Sequence, residues 1–300
     1  MKAITTFVLA LFMALPLSAK DLQIGTTISV FGGLDSLTLQ NLRKAKAAGV
    51  DFIEISLTGI VNGNTALPIS KLKEKFSSVK AVADSAGIKV WSIHMPYEMS
   101  CDPSSTDKDM FRVAEVLYRK YLDAVSVLQP RIILFHPSFI RLEAGNRLPR
   151  MKQLAKFMKS FRKDVKKIGA EIVIENMRGP VLVREKKYER ALGRNLEEMK
   201  QIMSLMPDDV YVAIDTNHAT DPIELIEYFG SRIHSVHISD GDGLRDRHWL
   251  PGKGNIDWKR VINAFDKAGY EGPFLYELKA SEVNIDTIGL LKETYEKMKE

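Results

Sequence analysis

Residues Ala47–Ile55 read AAGVDFIEI. A stretch of good helix formers runs into a glycine, and an apolar, β-branched run follows at once. Glycine suits that joint because it takes a positive φ without a Cβ clash, as a left-handed helix C-cap requires. The same arrangement recurs at Ser85–Ile93 (SAGIKVWSI), Lys167–Ile174 (KIGAEIVI) and Lys267–Tyr276 (KAGYEGPFLY). Four helix–glycine–strand joints imply one unit repeated along the chain.

Working outward from these joints gives eight short apolar runs: LQIGTTIS (22–29), DFIEIS (51–56), IKVWSIH (88–94), RIILFH (131–136), EIVIE (171–175), VYVAID (210–215), IHSVHIS (233–239) and PFLYE (273–277). Helical apolar spacing fills the gaps, for example over 37–49, 108–128 and 258–269. Strands alternating with helices predict parallel β/α units. Eight such units in a chain of 300 residues predict an α/β fold, one closed (β/α)8 TIM barrel over residues 20–300. A doubly wound open sheet is the rival, but IGTTISVFGG (24–33) is a poor match to its phosphate-loop fingerprint. No Pro-, Gly- or Ser-rich linker divides the chain. Arg178–Arg194 is the longest candidate excursion, between the fifth strand and its helix.

Residues 1–19 have the layout of a secretory signal peptide: Lys2, an apolar stretch from Ala3 to Leu17, then Ser18 and Ala19. That stretch is short for a membrane span, and no cysteine stands near the cleavage point to carry a lipid. The expectation is a periplasmic or secreted protein without a stable membrane anchor. Cys101 is the only cysteine, so no intrachain disulfide can form. The net charge of +5 is mild. The denser basic clusters, 71–80 and 162–167, read as solvated helix faces, so no nucleic-acid partner is expected. A homo-oligomer stays open.

The chemistry lies in how the apolar runs end. The third ends in His94, the fourth in His136, the fifth in Glu175 and the sixth in Asp215, with His218 three residues on; the seventh holds His237 and the eighth ends in Glu277. In a β/α barrel the carboxyl ends of all strands meet at one face. Six consecutive strands would thus deliver imidazoles and carboxylates to one mouth. That donor set suits a divalent metal ion such as manganese, zinc, cobalt or iron. His234 sits mid-strand and is assigned no role. The loop RDRHWLPGKGNIDW (245–258) adds Asp246 and His248.

HMPY, FHPS, VIENM, AIDTNHA, VHISD, DRHWLPGKGNIDW and LYEL, in this order, resemble the xylose-isomerase-like barrel superfamily, from the third strand to the eighth. That superfamily holds sugar epimerases and isomerases, inosose-processing enzymes and a zinc-dependent apurinic endonuclease. The resemblance implies a metal held by Glu175, Asp215, His237 and Glu277. It also implies that Glu175 and Glu277 act as acid and base, with His218 close to metal and substrate. His94, His136, Asp246 and His248 match further ligands of the endonuclease members. Gly252 and Gly254 would let the loop turn tightly, and Asp257 would cap the next helix. Arg178 and Asp240 are candidates to contact hydroxyl groups, Trp249 to stack on a sugar, and Lys253 to meet an anion.

A small-molecule carbohydrate substrate is therefore expected. The favoured reaction is isomerisation or epimerisation, by proton abstraction beside a carbonyl through an enediolate. A metal-dependent lyase or hydrolase acting on keto-glycosides would use the same parts. Apurinic-endonuclease-like phosphodiester cleavage fits the full donor set but not the export signal or the mild charge. A non-catalytic sugar-binding barrel is disfavoured by the presence of both glutamates.

Overall fold

In a computed structural model of the chain, residues 23–61, 68–139, 141–143, 145–178, 188–243 and 245–300 are described. The expected signal segment (1–19) lies outside them, as do residues 179–187 of the expected excursion.

Every one of the eight apolar runs forms a strand of one parallel sheet. The chain proceeds through β1 (Ile24–Thr27), α1 (Leu39–Ala47), β2 (Val50–Ser56), α2 (Thr58–Val61), α3 (Ile69–Ala86), β3 (Lys89–His94) and α4 (Lys108–Val125). It continues with β4 (Ile132–Phe135), β5 (Arg141–Glu143), α5 (Arg147–Lys167), β6 (Glu171–Glu175), β7 (Tyr188–Arg190) and α6 (Leu196–Leu205). Last come β8 (Val210–Asp215), α7 (Pro222–Phe229), β9 (Ile233–His237), α8 (Trp258–Ala268), β10 (Phe274–Tyr276) and α9 (Leu290–Lys299). The sheet order is β10-β1-β2-β3-β4-β6-β8-β9. A parallel bridge between Ile238 and Tyr276 joins its two ends, with Ile238 N–H donating to Leu275 O at 2.8 Å and Glu277 N–H to Ile238 O at 3.1 Å. The protein is an α/β barrel of eight parallel strands with helices between them, a single TIM-barrel domain.

The four glycines at the repeated joints all take the left-handed conformation: Gly49 (φ +92°), Gly87 (+72°), Gly169 (+75°) and Gly269 (+69°). Helix starts are fixed by side-chain caps. Thr38, Asp107, Asn195, Asp221 and Asp257 each accept a backbone N–H from the first turn of α1, α4, α6, α7 and α8. Buried residues on α8 (Trp258, Val261, Ala264, Phe265) follow the helical period and pack against the strands. The main core lies between helices and barrel wall. A smaller one fills the barrel interior, where Ile132, Leu134, Val173 and Ala213 meet Trp91 and Tyr211.

One element is not foreshadowed by the apolar pattern. β5 and β7 pair antiparallel, Arg141 opposite Arg190 and Glu143 opposite Tyr188, so two long loops are stitched together above β4 and β6. Among the described residues no helix is long and apolar enough to cross a membrane.

Candidate active site

Side chains two apart on a strand share a face, so the interior core residues fix which strand-end residues point inward. Leu134 places His136 inward, Val173 places Glu175, and Ala213 places Asp215. Register then sets neighbours: His94 lies opposite Leu134, Glu175 opposite Ala213, and Asp215 opposite His237. All six expected strand-end donors meet at this end of the barrel.

Glu175 is the hub and is fully buried. Its Oε1 lies 2.9 Å from His237 Nδ1 and 3.6 Å from His218 Nδ1; its Oε2 lies 3.1 Å from His136 Nε2 and 3.6 Å from His94 Nε2. Glu277 Oε2 is 2.9 Å from the same His237 Nδ1. Asp215 Oδ1 accepts the backbone N–H groups of Asn217 and His218, at 2.7 and 3.1 Å. Asn176 holds Asp215 on both sides, accepting its N–H at 2.8 Å and donating to its carbonyl at 3.0 Å.

A backbone carbonyl only accepts, so an imidazole nitrogen facing one carries the hydrogen. His94 Nδ1 faces Met95 O at 2.9 Å, His218 Nδ1 faces Asn176 O at 3.1 Å, and His248 Nδ1 faces Glu277 O at 3.0 Å. Their Nε2 atoms are thereby left to the site. His237 is reversed: its Nε2 meets the Glu54 carboxylate at 3.0 Å, and its Nδ1 faces the donors. Glu54 in turn accepts from Ser92 Oγ at 2.6 Å.

The loop after β9 supplies Asp246 and His248. It is closed at its base by paired backbone bonds between Asp240 and Trp249, at 2.8 and 3.0 Å. His248 sits at φ +50°, an uncommon conformation outside glycine, and the loop's bonds hold it there. Asn217 donates to Asp246 Oδ1 at 2.9 Å and accepts Arg247 N–H at 3.2 Å. Asp246 also lies 2.8 Å from His248 Nε2, 3.3 Å from His218 Nε2 and 3.4 Å from Arg178 Nε.

Above these groups opens a cavity of about 100 Å³, lined by Tyr97, His94, His136, Arg178, His218, Asp246, His248 and Glu277 among others. Three residues expected to meet substrate stand away from it. Asp240 is fully buried, and its carboxylate accepts from the N–H groups of Gly241, Gly252 and Ile256 and from Trp258 Nε1. It is the anchor of the loop rather than a substrate contact. Trp249 lies under the guanidinium of Arg247, 5.0 Å from its ring centre. Lys253 pairs with Glu282 at 2.8 Å on the outside. Of the two loop glycines, Gly252 has a positive φ of +91°, whereas Gly254 is needed for close approach: a Cβ there would lie 2.2 Å from Asp240 Oδ1.

Four residues of the site, Glu54, Tyr97, Asn176 and Asn217, do not stand out among the strand-end donors in the sequence. Glu54 carries a signal, a charge in the middle of the apolar stretch FIEI (52–55), on the inward face shared with Phe52 and Ser56. Tyr97 stacks on His136 with ring centres 4.1 Å apart, and no strand pattern marks it.

A metal ion fits the residues present. Glu175 Oε2 and Asp215 Oδ2 are buried acceptors that receive no well-aligned hydrogen bond, the condition expected of oxygens aimed at a cation. One ligand atom from each of Glu175, Asp215, His237 and Glu277 falls within 4.8 Å of the others. Two further groups of this kind adjoin it: His94, His136 and Glu175, and Asp215, His218 and His248. Glu175 and Asp215 each belong to two groups.

Without metal, protons on histidines balance these carboxylates. Burial would lower the pKa of His218, but Asp215, Asp246 and Glu175 outweigh it and raise it to about 10. His248 is raised to about 9 against burial by Glu277 and Asp246. His237 is likewise held well above its usual range, against burial, by Glu277, Glu54 and Glu175. His136 is lowered to about 4, burial prevailing over Glu175. Burial lifts the Asp215 carboxyl to about 7 despite His218. For Glu277, burial is overcome by His237 and His248, which hold it low.

Comparison with known proteins places this geometry in context. Residues 42–300 match the family described as xylose isomerase-like TIM barrel. A solved D-tagatose 3-epimerase-like protein superposes with a TM-score of 0.73 at 20% identity, over 92% of this chain and 97% of that one; at that identity the likeness is one of fold. An inosose dehydratase of Yersinia enterocolitica is 28% identical over 132 residues, 31% of this chain and 44% of that protein. A fructoselysine 3-epimerase of Escherichia coli O157:H7 is 22% identical over 137 residues, 44% of this chain and 47% of that protein. The chain thus spans under half the length of these two relatives.

Proposed function

The chain belongs to the xylose isomerase-like TIM barrel family, and on that footing we propose that it is a divalent-metal-dependent enzyme of the sugar isomerase and epimerase class, moving a proton beside a sugar carbonyl. The observation that carries this reading is the pair of buried, undonated carboxylate oxygens on Glu175 and Asp215 inside a four-residue donor group. Relatives and structural neighbours named as sugar 3-epimerases and inosose dehydratase support the substrate class. An ion held by Glu175, Asp215, His237 and Glu277 would supply Lewis acidity toward a sugar carbonyl.

The protein's own groups divide the remaining work. Glu175 is enclosed by four imidazoles and does not line the cavity. Its role in this reading is to hold the centre together rather than to exchange protons with substrate. Asp246 lines the cavity but is tied to His218, His248, Asn217 and Arg178. Glu277 is the carboxylate left to take the proton, ionised and partly exposed. Burial raises the pKa of the Tyr97 phenol, so it stays protonated and can give a proton but not act as the base. Glu277 alone can serve isomerisation, taking the proton from one carbon and giving it to the next, or elimination, giving it to the leaving oxygen. Epimerisation needs a proton delivered to the opposite face, which Tyr97 would give and recover through solvent from Glu277. Arg178 and His218 border the same space and would orient hydroxyl oxygens. We further propose that the enzyme works outside the cytoplasm, from the signal-like residues 1–19.

The test is solvent deuterium wash-in. Manganese-loaded protein is incubated with a panel of keto-sugars in heavy water and followed by NMR. Deuterium should enter at the carbon beside the carbonyl, and Glu277→Gln should slow this by about 100-fold or more. No incorporation with any keto-sugar, alongside cleavage of abasic DNA, would replace this reading with a second one. That second reading, phosphodiester cleavage with more than one ion, is favoured by the sharing of Glu175 and Asp215 between adjoining donor groups.

A further inference from the structure

A second cavity, of about 370 Å³, opens beside the first on the β1 and β2 side, walled by Ile28, Leu34, Ile60 and Leu278 and by Thr27 and Ser29. The two share Ser56, His248 and Glu277 and so adjoin along that edge. Ligand pockets run from about 300 to 1,000 Å³. The donor-facing cavity, at about 100 Å³, falls short of that range and takes only the reacting part of a substrate. The adjoining compartment has room for the rest of a larger substrate.

The wall of that compartment says what the remainder is. Ser56, His248 and Glu277 stand on the side shared with the donor cavity; beyond them the aliphatic side chains offer nothing to a hydroxyl group, and the two hydroxyls among them are engaged. Ser29 Oγ donates to Leu278 O at 2.7 Å, which leaves Thr27 Oγ1 to donate to Ser29 Oγ at 2.6 Å. Glu54, at the bottom, is held between Ser92 Oγ and His237 Nε2. The exposed Lys279 turns its ammonium to the carbonyl of Asp246 at 3.2 Å. Apart from the His248 imidazole at the shared edge, no aromatic ring stands among the described lining residues to stack on a sugar face. A second sugar placed here would lose hydration without finding partners, whereas an apolar group would gain by burial.

We propose that the substrate is a glycoside whose sugar, carrying a ring ketone, sits over the carboxylate and histidine donors and whose apolar aglycone fills the compartment bounded by Ile28, Leu34, Ile60 and Leu278. This inference rests on the reading of the donor site as a sugar site. Leu34 is the wall residue to change, because it is only partly buried and belongs to none of the proposed proton-transfer or ligand groups.

The experiment is calorimetric titration of the manganese-loaded protein with phenyl β-D-glucoside, methyl β-D-glucoside and phenol. The phenyl glucoside should bind about tenfold tighter than the methyl glucoside. Leu34→Asp, which puts a charge in the wall, should erase that preference and leave methyl glucoside binding unchanged. Leu34→Trp, which fills the space with apolar volume, should do the same and serves if the melting curve shows Leu34→Asp unfolded. Absence of a phenyl preference in the unaltered protein, through equal affinity or no binding, overturns the proposal, as does a preference that survives both substitutions. Phenol binding as tightly as phenyl glucoside would keep the apolar compartment and remove the sugar reading beneath it. Metal-dependent methyl glucoside binding with no phenyl preference would keep the sugar reading and remove the compartment.

Discussion

His237 is oriented the opposite way from three of its neighbours, and Glu54 is the cause. His94, His218 and His248 give Nδ1 to a backbone carbonyl, whereas His237 gives Nε2 to a carboxylate that Ser92 holds in place. Partners of this kind fix the ring and its tautomer and commonly change metal affinity by about 10–100-fold. Glu54→Ala should therefore weaken manganese binding by about that factor in a chelator competition, with Glu54→Gln recovering part of it because its amide oxygen still accepts from Nε2. Unchanged affinity in a folded Glu54→Ala protein would show that Glu54 only fills space. The charges make a second prediction. A histidine whose folded pKa exceeds the unfolded value of about 6.5 stabilises the fold below that pH, and the contribution is lost as pH rises through the folded value. His248, at about 9, and His218, at about 10, should make the metal-free protein lose stability from about pH 6.5 to 10. Asp215, raised to about 7, acts in the same direction at lower pH. Bound metal replaces these protons, so thermal melts with and without chelator should diverge as pH rises; parallel curves would contradict the charge assignment.

At the scale of the element, two glycines of similar appearance do different work. Gly269 ends α8 at φ +69°, and a Cβ added there would meet nothing within 4 Å, so Gly269→Ala should cost about 1 kcal/mol of backbone strain and leave metal content intact. Gly254 lies against backbone, with Gly241 O 2.3 Å from where its Cβ would be. Gly254→Ala should displace the loop that carries Asp246 and His248, and metal content should fall with stability. Equal effects of the two on metal content would show that the loop is not held through this approach. The same contrast explains what the sequence disclosed. The strand runs and the four glycine joints are local patterns, and each appears where expected. The β5–β7 pair is not local, because its strands come from loops separated by α5 and β6. Asp240 misleads because a carboxylate just past a strand end looks the same in sequence whether it faces substrate or, as here, binds three N–H groups and an indole of its own loop. Glu54 stands inside its strand rather than at the end, and its inward direction follows only from the two-residue period of β2.

At the scale of the whole molecule, closing the sheet makes the site. Six strand ends lie far apart in sequence, from His94 to Glu277, and only a barrel joined between β9 and β10 brings them to one mouth. The donor types were readable from the sequence. Their grouping into three sets that share Glu175 and Asp215 depends on strand register, which the sequence does not state. The central claim is that this mouth holds a divalent metal ion. Its most direct test is metal content by plasma mass spectrometry on protein purified without chelator, beside a Glu175→Gln, Glu277→Gln double variant checked for folding. The account predicts at least one manganese, cobalt or zinc ion per chain in the unaltered protein and its loss in the double variant. A folded, unaltered protein that carries no metal, even after soaking with these ions, would contradict it.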